Sequence, residues 1–402
     1  MRLSIQTLFV ISTCLVSMTQ WIDTSLVVGG KPILFVSELI LYIHTILLLF
    51  FTKGKMSVPK WIFVMLLPLM FYFSIHLVFS FIAADPGNAL LTTRRLLYFP
   101  FVALIVGYNT ACAAKDPRFV DKVLNLNLRL TIPLLLLNMV VGFHMFQEFG
   151  FISRATGVIL SALVFTSLLG LIQQRSTPKK LLWVALATFL IVFVTSSRGV
   201  YIAFLSGLGL MIWQYRKRIG VGRILKLASG GVVVVVIIIA ISLSSPLVIK
   251  TLGKFESDIT NIIAGDMGSY GEKFNTLGAR FYLYEAVFNL GLESPIFGNG
   301  SGFKVEEWHL GGSYNIERSK TPHHYYLDIW YRLGIVGLLL FFLFYKKILS
   351  ELKLRQENVY YMLIVAMVYS SFDVLLSSNT SAIIPIFMLV GASLKSPIRT
   401  QQ

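Results

Sequence analysis

Apolar runs near the length needed to cross a bilayer, about 20 residues, recur along the whole 402-residue chain, near 5–22, 32–51, 61–83, 95–113, 128–147, 155–173, 181–197, 199–215, 226–246, 324–344, 358–375 and 380–395. They predict about twelve transmembrane helices, an all-α polytopic membrane protein. The first run follows Arg2 without a small-residue cleavage site and is succeeded at once by a second, so it reads as a retained helix. Polar connections are short except for residues 247–322, a loop long enough to fold. Within it NTLGARFYLYEAVFNLG predicts a helix, with Thr276 as cap, an apolar stripe of Phe281, Tyr284, Val287 and Phe288, and Gly291 at its end. SPIFGNGSGF then reads as a turn-rich connection. At the loop's far end Thr321 and Pro322 suit the N-cap and first residue of the next helix, placing His323 and His324 in its first turn.

The chain carries 35 Lys and Arg and a formal charge of +16. In a soluble protein that excess would suggest nucleic acid. Here 56% of residues are hydrophobic and the cations crowd into alternate short loops, such as TKGKMSVPK, YRKRIGVGRILK and YKKILSELKLR, so they set topology and nucleic acid is excluded. The bias puts both termini in the cytoplasm and the 247–322 loop outside it. It also favours two spans, not one, over 181–215, because losing a crossing would reverse every later loop. The chain thus divides into nine helices over 1–246, the loop 247–322, and three helices with a cytoplasmic tail over 323–402. Cys14 and Cys112 lie inside apolar runs with no metal-ligand spacing and read as packing residues.

Three basic groups converge on the outer face of this topology. Arg198, in FVTSSRGVYIAF, stands where one span ends and the next begins; its planar fork of donors suits phosphate, and Gly199 would let a phosphate approach the backbone. An arginine snorkelling to the interface would look the same. Arg280, on the loop helix, is alone an ordinary surface charge. The third group is SKTPHHYYLDIWYRLG. A histidine there titrates near neutrality, as a general base must, and a helix N-terminus disfavours its charged form. An interfacial histidine without chemistry is the plain alternative. Asp328 and Arg332 follow His324 at four-residue spacings and read as an ion pair that orients the helix. Glu256-Ser-Asp258 is a carboxylate pair of the kind that holds a divalent cation, but a single E-x-D arises easily by chance, and no HExxH, G-x-S-x-G or P-loop is present. No metal and no cofactor is expected.

TSSRGVYIAFLSG, LGARFYLYEAVFNLGLESPIFGNGSGF and TPHHYYLDIWYRLGIVGLLLFF, in this order, resemble the O-antigen ligase and O-antigen polymerase superfamily over roughly residues 180–345. The resemblance implies a GT-C-like helical bundle in the bacterial inner membrane, with one large periplasmic loop between spans 9 and 10 and an active site facing the periplasm. It implies a donor glycan on undecaprenyl pyrophosphate and, for a ligase, transfer to the lipid A-core oligosaccharide among membrane lipids. Residue by residue, Arg198 and Arg280 would engage the pyrophosphate and His323 would act on the acceptor hydroxyl. His323 and Leu327 match the family's His-Asn-x-x-Leu pattern, with His324 where asparagine is usual. The histidine motif and the SRG turn resemble the ligase more closely. Arg280 followed by Gly291 matches a spacing of polymerase loops, which keeps transfer between lipid-linked repeat units as the alternative. A lipid-linked glycan transporter would also have about a dozen spans and buried charge, yet the two halves of this chain differ plainly where transporters repeat.

Overall fold

The computed structural model describes residues 4–18, 25–28, 31–83, 86–127, 129–130, 154–172, 198–219, 276–303, 324–372 and 380–398, with isolated positions between 253 and 264 and at 376. In chain order these form α1 (Ile5–Met18), a hairpin of β1 (Ser25–Val28) and β2 (Lys31–Phe35), α2 (Val36–Thr52), α3 (Lys60–Ala83) and α4 (Pro86–Thr93). A π-helical turn (Arg94–Tyr98) joins α4 to α5 (Phe99–Ala114); α6 (Arg154–Ile172), α7 (Arg198–Ile219), α8 (Thr276–Glu293), α9 (Tyr325–Arg355), α10 (Glu357–Tyr369) and α11 (Thr380–Leu394) follow. Among the described residues three helices are long and apolar enough to cross a membrane, Lys60–Ser80, Pro86–Ala114 and Tyr325–Arg355, with five shorter apolar helices beside them. This is a helical membrane protein. The expected spans 181–197 and 226–246, almost all of 128–147, and most of the 247–322 loop lie outside the described residues.

Several boundaries differ from the hydropathy reading: the span expected at 95–113 starts at Pro86, the one expected at 358–375 ends at Tyr369, and two others have a visible cause. The span expected from residue 32 begins at Val36, because SLVV and KPILF pair as antiparallel strands, with Val28 opposite Lys31. Paired glycines between short apolar strands are a hairpin signal. At the other end α9 runs past 344 to Arg355, since Glu351 ties Lys347 (3.0 Å) and Arg355 (3.2 Å) at four-residue spacing and carries the helix beyond its apolar stretch.

Packing follows membrane rules. Gly107 on α5 and Gly391 on α11 face each other's helices so closely that a Cβ on Gly107 would stand 2.0 Å from the Met388 carbonyl oxygen, and one on Gly391 1.9 Å from that of Leu104. Small residues at such a crossing bring backbones into contact where lipid offers no hydrophobic drive. Outward, α3 presents Phe63, Leu67, Met70, Phe71, Val78 and Phe79, a stripe suited to acyl chains. Buried polar groups find partners across helices, as with His44, which meets Ser12 (2.8 Å) and Thr110 (3.1 Å). Contacts at the helix ends sort the bundle into two poles. At one, Gln356 meets Ser396 and Lys347 lies over the Trp61 ring. At the other, the start of α9 meets the end of α10, and Ser80 on α3 meets Ser301.

Candidate active site

The second pole is built around a break in α9. Gly334 has φ 63° and ψ −171°, a left-handed backbone that separates Tyr325–Leu333 from the rest of the helix. A break at membrane depth survives only if its freed backbone groups find partners within the protein. The 294–303 turn supplies nearly all of them. The amides of Asn299 and Gly300 donate to the carbonyls of Tyr331 (2.8 Å) and Arg332 (2.9 Å), while Ile335 and Val336 donate to Pro295 (2.9 Å) and Ile296 (3.3 Å). Tyr72 on α3 takes the remaining carbonyl, that of Leu333, at 2.7 Å. A Cβ at Gly298 would lie 2.4 Å from the Arg332 carbonyl, and one at Gly334 2.1 Å from that of Ile296, so both glycines are required. SPIFGNGSGF and YRLGIVG, distant in sequence, are one structural joint.

The ion pair fixes this joint. Arg332 Nε donates to Asp328 Oδ1 at 2.9 Å, with both side chains 3–4% exposed. Arg332 Nη1 donates to the carbonyls of Ser301 (2.9 Å) and Phe303 (2.7 Å), and Asn88 on α4 donates to that of Gly302 (3.0 Å). Asp328 and Arg332 are thus the orienting pair expected from their spacing, and their charges are spent inside the protein.

The helix start differs from expectation. Its N-cap is His324, in extended backbone, and not Thr321; Tyr325 is the first helical residue. His324 Nδ1 accepts from the Leu327 amide at 3.2 Å, the N3 position of a capped helix. Sequence periodicity favoured Thr-Pro, a good cap pair, but the helix begins three residues later because the Tyr325 amide is held by the Ser370 carbonyl (2.9 Å) and the Tyr326 hydroxyl donates to that of Met367 (3.1 Å). With Nδ1 accepting, the proton of the neutral ring sits on Nε2. An asparagine cap would likewise accept through one atom and offer N–H groups from another, so His324 can reproduce the usual residue's bonding. Burial pushes the His324 imidazole below its usual titration range.

Around His324 the structure gathers the other motif-bearing backbones. On α8, Tyr284 packs edge-on against His324, ring centroids 5.3 Å apart, and Arg280 stands one turn before Tyr284. The buried stripe of α8 is Leu283, Val287 and Leu290, set against Tyr331. Of the expected stripe residues whose side chains are described, Val287 is fully buried, Tyr284 is half-buried and Phe288 is 48% exposed beside Trp330. Gly291 does not end α8; its Cβ side is filled by the Trp330 ring, 2.8 Å away. Arg198 is the first residue of α7. Next to it Gly199 makes room for the Tyr369 ring on α10, which a Cβ would approach to 2.7 Å, so on that side helix packing replaces the expected opening for phosphate. The end of α10 therefore touches both the start of α7 and the start of α9. His323, Asp258 and the side chains of Arg198 and Arg280 lie outside what is described. Among the described residues no group of three or more His, Cys, Asp or Glu could hold a metal.

Hydropathy missed a second charged cluster at this pole. Arg94, in the π-turn, pairs with Glu38, a fully buried carboxylate that also accepts from the Phe35 amide (2.9 Å), and Arg95 lies over the Phe35 ring at 5.4 Å. The available signal was a glutamate inside an apolar run facing an Arg-Arg dipeptide, an arrangement that needs pairing. The two are 56 residues apart, so no spacing rule links them.

Residues 183–342 match the family model described as O-Antigen ligase. The matched segment contains the SRG motif at the start of α7, α8, the 294–303 turn and the broken part of α9, and supports kinship with the O-antigen ligase and polymerase superfamily. No curated protein matches the chain.

Proposed function

We propose that this chain, whose residues 183–342 fit the O-Antigen ligase family, is an inverting, metal-independent glycosyltransferase that moves a glycan from undecaprenyl pyrophosphate to the lipid A-core oligosaccharide. It would do so in the bacterial inner membrane, with the site on the periplasmic side and both termini in the cytoplasm. What supports the reading is that the end of α10 touches both the start of α7 and the start of α9, while Tyr284 of α8 packs on the His324 cap.

A lipid pyrophosphate is an activated leaving group, so no nucleotide is needed. His323 takes the proton of the acceptor hydroxyl as its oxygen bonds to the anomeric carbon and the bond to pyrophosphate oxygen breaks. Arg198 and Arg280 stabilise the charge that grows on the departing pyrophosphate. The commitment of His324 to the helix cap supports giving the base role to His323, and the internal pairing of Asp328 and Arg332 supports giving them a positioning role. Gly291 packs under Trp330, a structural reason for the spacing that otherwise suggests a polymerase.

The test is the lipopolysaccharide ladder of a strain lacking this gene, with the lipid-linked pool assayed beside it. Core without attached repeats, together with accumulated long lipid-linked glycan, is the ligase outcome. Core bearing a single repeat would make the chain a polymerase.

A further inference from the structure

We propose that the groove between α9 and α10, whose lysines lie toward the opposite pole, is a binding site for one anionic phospholipid of the surrounding membrane. The groove, about 260 Å³, has an apolar floor that includes Phe342, Leu349 and Met367 and a polar rim of Lys346, Ser350 and Lys353. Ser350 lies four residues after Lys346 and three before Lys353, so the three side chains share one stripe of α9. Across two turns that stripe covers roughly 10 Å, within reach of a phosphate from both ammonium groups. Neighbouring cations are already paired: Lys347 and Arg355 both reach Glu351. Lys346 and Lys353 are exposed and, among the described residues, have no ion-pair partner. Phe342, at the apolar end, is 60% exposed.

This division selects the occupant. A soluble anion would use the lysines and leave the apolar floor bare; a zwitterionic lipid would use the floor while its own cation opposed the lysines. A phospholipid with net negative charge satisfies both, acyl chain along Phe342 and Met367, phosphate between Lys346 and Lys353. Basic recesses between helices bind anionic headgroups in this way, with each cation contributing on the order of 1 kcal/mol. The groove's lysine rim lies some twenty residues along α9 from His324, and the proposal stands whether or not the transfer reading does.

The experiment uses the full chain, delipidated in detergent and titrated with phosphatidylglycerol or with phosphatidylcholine of the same acyl chains, bound lipid being counted by native mass spectrometry. The wild type should prefer phosphatidylglycerol, and Lys346→Gln with Lys353→Gln should lose about 10- to 30-fold of that affinity, the equivalent of two such contacts. Lys347→Gln, which changes a paired lysine, should bind as the wild type does. All these positions are on the surface, and matching melting curves would show that the variants are folded. Equal binding of the two lipids, an unchanged double variant, or equal competition by glycerol phosphate would overturn the proposal.

Discussion

At the scale of single residues, the two adjacent histidines divide into different tasks. Replacing His323 by alanine should lower transfer by roughly 10²–10⁴-fold, the usual cost of a lost general base, with insertion unchanged; transfer rates in membranes from complemented cells measure this. His324→Asn should keep the cap to Leu327, whereas His324→Ala should cost about 1 kcal/mol in thermal stability. The pH dependence has a definite sign. Burial depresses the folded-state titration of His324, so its contribution is fully present above the usual imidazole range. It is lost as acidification protonates the ring, which removes the acceptor of the Leu327 amide. Melting temperature should therefore fall with pH below neutrality more steeply for the wild type than for His324→Asn. Asp328→Ala strands Arg332 as a buried unpaired charge and should destabilise by about 3–5 kcal/mol, as read from detergent-melting curves. These pairings were legible because four-residue spacing on a helix is a direct geometric statement. The choice of His324 over Thr321 as cap was not, since it is set by Ser370 and Met367, far along the chain.

Among elements, the decisive feature is the joint between the broken α9 and the 294–303 turn. Gly334→Ala would force a side chain into the Ile296 carbonyl and a left-handed backbone onto an L residue, and Gly298→Ala would do the same against Arg332. Each should cost about 1–3 kcal/mol or more in thermal stability and reduce transfer as well, because the helix start that carries His324 is mounted on this joint. By contrast Gly54 has the same sign of φ but open space around it, so Gly54→Ala should leave transfer intact and cost only its backbone strain. The turn itself could be read from SPIFGNGSGF, whose glycines and asparagine announce it. The break could not, because LGIVGLLLFF satisfies a hydropathy pattern whatever φ its first glycine adopts. The hairpin at residues 25–35 was hidden for a related reason: KPILF merges into the apolar run that follows, and only the Gly-Gly pair marks the reversal.

For the molecule as a whole, hydropathy gave the helical membrane class directly, since lipid thickness acts on composition more than on contacts. Convergence of the three motifs depends instead on long-range packing, such as Tyr369 against Gly199 and Tyr284 against His324. In a background with Cys14 and Cys112 replaced by alanine, Glu293→Cys should react with a membrane-impermeant thiol reagent in cells whose outer membrane has been opened. On the proposed orientation, Lys55→Cys should react only after the inner membrane is broken. The central claim is that this pole transfers glycan from a lipid pyrophosphate with His323 as base. Its most direct test is the purified full chain in liposomes with undecaprenyl-pyrophosphate-linked glycan and lipid A-core, assayed with a metal chelator present. Formation of glycan-bearing lipid A-core with release of one undecaprenyl pyrophosphate per glycan, abolished in His323→Ala, is the predicted result. No transfer by the wild type, or full transfer by His323→Ala, would contradict it.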